Sequence, residues 1–86
     1  RAMTKQEALA ILERNADPYL ADPAEIPTTF GGNGLYLAVA LTAFRKALAA
    51  FRADPDPDSE AGAEAIRWAQ VARQAADALR VEIAAA

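Results

Sequence analysis

Between Leu35 and Phe51 apolar side chains cover far more of a helix than one packing partner can bury. Placed at 100° per residue, Leu35, Tyr36, Leu37, Val39, Ala40, Leu41, Ala43, Phe44, Ala47, Leu48, Ala50 and Phe51 fill an arc of roughly 240°, well beyond the stripe of an ordinary surface helix. Such a helix has to lie between two neighbours. The small residues Ala40, Ala43, Ala47 and Ala50 line one flank, and the large residues Leu37, Leu41, Phe44, Leu48 and Phe51 line the next. One neighbour can therefore approach closely while the other meets bulk. The remaining stripe carries Thr42, Arg45, Lys46 and Arg52 with no acid, which suits the carboxyl half of a helix, where cations complement the macrodipole.

The rest of the composition limits the choices around this helix. The chain has 86 residues, one domain's worth, and a domain of that size hides only about 60 to 65% of its unfolded surface, so self-association is a live option. Hydrophobic residues make up 53% of the sequence, but many are alanine, which favours helices while contributing little buried area. Cysteine and histidine are absent. That removes disulfides, thiolate nucleophiles, sulfur-ligated zinc and the commonest acid/base group, so no metal or cofactor is expected. No apolar run approaches the roughly 18 to 20 residues of a membrane span, and Lys5, Glu7, Glu13 and Arg14 interrupt any secretory segment, so the reading is a soluble, cytoplasmic protein. Arg1 and Ala2 precede Met3 and read as a cloning remnant.

Three helices follow from the punctuation. Thr4 and Glu7 fit a capping box, after which Ala8, Leu9, Leu12 and Ala16 share one face of a short helix ending near Asn15 or Ala16, before Pro18. Residues 17–34 hold Pro18, Pro23, Pro27 and a Gly31-Gly32-Asn33-Gly34 cluster, the mark of a long loop between helices 1 and 2. Short turns are expected at Asp17-Pro18 and Asp22-Pro23, where an acid caps and a proline starts. Tyr19, Leu20, Ile26 and Phe30 would anchor this loop over the helices. The second helix is expected from about Gly34, with Asn33 as its cap, to Ala53. Asp54-Pro55-Asp56-Pro57-Asp58 forms an acidic proline hinge, and the third helix runs from about Ser59 to Ala84. Its apolar face holds Ala65, Trp68, Ala69, Ala72, Ala75, Ala76, Leu79 and Ile83.

Chemical motifs are absent or fail in detail. The alternating acids of the hinge resemble the opening of a calcium loop, but prolines fill the intervening positions, Ser59 stands where the turn glycine belongs, and Ala65 where a bidentate glutamate belongs. The glycine cluster before helix 2 resembles a phosphate loop, yet no Gly-Lys-Ser/Thr and no nearby base accompanies it. A mobile contact loop around Phe30 is the functional version of that segment. Arg67, Arg73 and Arg80 with the helix 2 cations could meet nucleic acid, but the net charge of −3 and the long first connection argue against it. Ser59 has no local base, and Tyr19 and Tyr36 read as packing residues, so catalysis is not expected.

The expected architecture is all-α, a small three-helix bundle spanning residues 1–86 with helix 2 central. The leading functional reading is a non-catalytic interaction module that binds another protein or a second copy of itself, as a homodimer. Its contacts would come from Leu37, Leu41, Phe44, Leu48 and Phe51, with Phe30 and Trp68 beside them. The alternative is a small acidic inhibitor, of the phage-encoded anti-defence kind, presenting Asp54, Asp56, Asp58, Glu60 and Glu64 to a basic nucleic-acid-handling protein. A DNA-binding regulator is the third reading.

Overall fold

A computed structural model describes residues 3–14 and 21–86. It is all-α, with helices α1 (Lys5–Arg14), α2 (Gly32–Ala53) and α3 (Glu60–Ala85) and a 3-10 turn at Pro23–Glu25; among the described residues there is no strand. α2 and α3 pack against each other as a long antiparallel hairpin, so the molecule is a rod of 43 × 18 × 18 Å. α1 lies against α3 and the 3-10 turn against α2. The expected end of helix 1 at Asn15 or Ala16, the Asp17-Pro18 turn, and the Tyr19 and Leu20 anchors lie outside the described residues.

The local signals act as their chemistry dictates. Thr4 and Glu7 form a reciprocal capping box: Glu7 N donates to Thr4 Oγ1 at 3.2 Å and Thr4 N to Glu7 Oε1 at 3.1 Å, satisfying two amides at the helix start. Asp22 accepts from Ala24 N at 3.0 Å, and Pro23 opens the 3-10 turn. Ser59 caps α3 by accepting from Gly62 N at 3.1 Å. Ahead of it, Asp56 accepts from Asp58 N through Oδ1 and from Ser59 N through its carbonyl, which folds the hinge into a tight turn.

The start of α2 departs from expectation. Helix begins at Gly32 rather than about Gly34, and Asn33 is not the cap; its backbone N instead donates to Glu82 Oε1 at 3.0 Å, across 49 positions of sequence. An α3 carboxylate thus meets the exposed amides of α2, where the helix dipole favours a negative charge. Gly31 precedes it at φ 148°, and a Cβ there would overlap the Glu82 carboxylate. Only glycine suits both the conformation and the space. At Gly34 a Cβ would overlap the Pro27 carbonyl oxygen, so this glycine lets the 21–31 segment lie directly on α2. Ala21, Ile26 and Pro27 of that segment are buried.

The core divides into two clusters. The larger unites Leu37, Ala40 and Leu41 of α2 with Ala72, Ala75, Ala76, Leu79 and Ile83 of α3, Ala8 and Leu12 of α1, and Ala21 and Ile26. The smaller is Phe44 and Ala47 against Ala65, with Leu48, Trp68 and Ala69 partly buried beside it. Buried positions of α2 recur at three and four residues: Leu37, Ala40, Leu41, Phe44 and Ala47 form a seam against α3, and Gly34 before them lies under Pro27. α3 thus covers the Leu37, Leu41 and Phe44 part of the large flank of α2, while Leu48 and Phe51 stay partly exposed. Ala72, Ala75 and Ala76 are at most 2% exposed, and their small side chains bring the backbones close enough for Leu37 and Leu41 to fill the gap.

What is left of the apolar arc faces outward, with Leu35, Tyr36 and Val39 exposed by 62, 51 and 52%. The absence of a span-length apolar run also needs correcting: an 18-residue stretch of α2 has mean hydropathy 1.4, enough by length and composition to cross a membrane. One third of that stretch is buried inside the molecule.

Candidate interaction groove

α1 contributes Ala8 and Leu12 to the larger core cluster and nothing buried to the smaller one. Beyond its reach, towards the hinge, α2 and α3 pack as a bare pair. A groove of about 490 Å³ opens there. Its α2 wall is Phe44, Leu48 and Phe51, its α3 wall Gly62, Ala65, Ile66 and Ala69, and Pro57 of the hinge stands at its end. Gly62 shapes the floor, because a Cβ there would lie 3.3 Å from the Phe51 ring, inside comfortable contact distance. Phe51 and Leu48 are half-buried and Ile66 is 63% exposed, leaving apolar surface that water covers at a cost. A shallower hollow of about 380 Å³ lies on α2 among Ala38, Val39, Thr42, Ala43 and Lys46.

The expected contact residues separate into two sets. Leu37 and Leu41 are fully buried and Phe44 is 8% exposed, because α3 seals their seam, so the expectation that Leu37 and Leu41 face a partner gives way. Leu48 and Phe51 line the groove and keep exposed surface, and Phe44 reaches it as part of the wall. Phe30 is half-buried against the larger core cluster, away from the groove. Trp68 is half-buried and touches both clusters, joining the two halves of the core. Sequence reasoning passed over Ile66. Its signal was an isoleucine off the main apolar stripe of α3, at a position where a solvated face would carry a polar residue.

Asp54, Asp56 and Asp58 are exposed at the hinge, while Glu60 meets Arg67 at 3.4 Å. Glu64 lies two residues before Ile66, about 160° away around the helix, so it does not share the groove's rim. Among the described residues no three His, Cys, Asp or Glu side chains converge on a position that could hold a metal ion. The groove walls carry no nucleophile, acid or base; what this surface can do is bury apolar groups.

Compared with family models, curated proteins and solved structures, the chain matches none of them.

Proposed function

We propose that this protein is a small helical protein-protein interaction module, without catalytic activity, that receives an apolar segment in the hinge-end groove between α2 and α3. The observation that carries the reading is the open wall of Leu48, Phe51 and Ile66 beside the Phe44–Ala47–Ala65 core cluster. Its shape suits a helix, which can lie along two antiparallel helices and add the third layer that α1 supplies at the other end.

A photo-crosslinking side chain at position 66 tests it in cells that express the protein, with position 74 as the control, since Gln74 is exposed on α3 and outside the groove. The expected result is a discrete adduct from position 66, to another protein or to a second copy, and none from position 74. Equal or absent crosslinking from the two positions would remove the groove as the binding surface.

A further inference from the structure

The groove has charged borders as well as an apolar floor, and they restrict what fits it. Leu48 is part of the α2 wall, and Arg45 and Arg52 lie three residues before it and four after, so all three share one side of the helix. Both arginines are exposed, and among the described residues neither makes an ion pair. They stand two turns apart, about 10.5 Å along the axis, and α2 carries no acid to compensate them. On the hinge side of the groove Pro57 is flanked by Asp56 and Asp58, both exposed.

From this charge pattern we infer that the occupant is an amphipathic helix of another protein whose apolar face fills the groove and whose flank presents acids to Arg45 and Arg52. The inference rests on the groove being the binding surface. The hinge acids also set the direction. The positive, amino-terminal end of the incoming helix belongs at Asp56 and Asp58, so it runs parallel to α3. A second copy of this chain is a poor occupant: none of its own helices carries two acids seven residues apart, and α2 against α2 would oppose like charges. Exposed charges of this kind act chiefly on selectivity and association rate, and they weaken in salt.

The test uses three synthetic 18-residue helical peptides with the same leucine face and glutamate, lysine or glutamine along the flank, titrated against the intact protein by fluorescence anisotropy. The glutamate peptide is expected to bind at least about fivefold more tightly than the lysine peptide in dilute buffer, with the gap narrowing as salt is added. The double variant Arg45→Glu, Arg52→Glu, whose folding circular dichroism checks, is expected to reverse that order. Equal binding of all three peptides, lost in Ile66→Asp, would keep the groove and overturn the acidic flank. Preference for the lysine peptide by the unaltered protein would overturn it too, and would assign recognition to the hinge acids. If no peptide binds, the inference fails, and crosslinking from position 66 then decides whether the groove reading fails with it.

Discussion

The two ends of the α2–α3 hairpin use the same helix pair to opposite effect. At the end where α2 begins and α3 finishes, Leu37, Leu41, Leu79 and Ile83 are fully buried, with α1 packed beside α3 and the 21–31 segment on α2. At the hinge end Phe44 and Ala65 are covered, but Leu48 and Phe51 remain half-open and Ile66 is mostly exposed. The difference is the length of the third element. α1 has 10 residues against 22 in α2, and at 1.5 Å per residue it spans about 15 Å of a hairpin about 33 Å long. Two helices alone bury one seam; the third layer closes the sides.

The largest expected effect tests that contrast directly. Leu41→Ala should cost about 3 kcal/mol, because the side chain is fully enclosed and a cavity remains. Phe51→Ala should cost about 1 kcal/mol despite removing more atoms, since its ring already meets solvent. Chemical denaturation of both variants gives the comparison. Equal losses would mean that the hinge end is as tightly packed as the other and that the groove is closed in solution.

Gly34→Ala should come next, at about 2 kcal/mol, because the new methyl group would have to displace the Pro27 carbonyl from α2. Gly62→Ala at the hinge end has an easier remedy, a small shift of the Phe51 ring into the open groove, and should cost about 1 kcal/mol or less. If thermal unfolding ranks the two glycines the other way, the 21–31 segment is not held against α2 as tightly as its buried Ile26 and Pro27 imply.

The caps offer a smaller contrast. Glu82→Ala removes a charged acceptor from the half-buried start of α2 and should cost about 1.5 kcal/mol. Ser59→Ala removes a local cap worth about 1 kcal/mol. Hydrogen exchange should show the first loss in the α2 amides near Asn33 and the second in the first turn of α3, with little crossover. Spread of either effect over the whole hairpin would show that its two ends unfold as one unit.

These elements also show what could be read without coordinates. Thr4 with Glu7, Asp22 before Pro23, and Ser59 after the hinge were legible because each makes its bonds within three residues of itself. Three helices followed from those signals and from the proline hinge. The Glu82 cap was not legible, since its partner is 49 positions away and Asn33 offered a plausible local substitute. Nor was the choice of flank on α2: an arc of roughly 240° is compatible with either orientation, and only the close approach allowed by Ala72, Ala75 and Ala76 selects Leu37 and Leu41 as the buried side. The groove depends on where α1 stops relative to the hinge, and periodicity within one helix does not encode that. Three of the seven expected contact residues, Phe44, Leu48 and Phe51, still lie at the groove because large apolar residues near the carboxyl end of α2 outnumber what α3 alone can cover.

The smallest stability change is expected where the proposed function is concentrated. Ile66→Ser removes a side chain that is already 63% exposed to water, so the lost burial is slight and the folding free energy should shift by no more than about 0.5 kcal/mol. A helix interior accepts serine at a modest propensity cost. The same change removes the exposed isoleucine of the groove wall, and it should abolish or sharply weaken crosslinking from an adjacent probe at position 69. A residue that matters little to the fold and much to association marks the surface as one kept for a partner. If Ile66→Ser instead destabilises the protein by as much as Leu41→Ala, the side chain is buried in solution, and the hinge end closes on itself in the way the other end does.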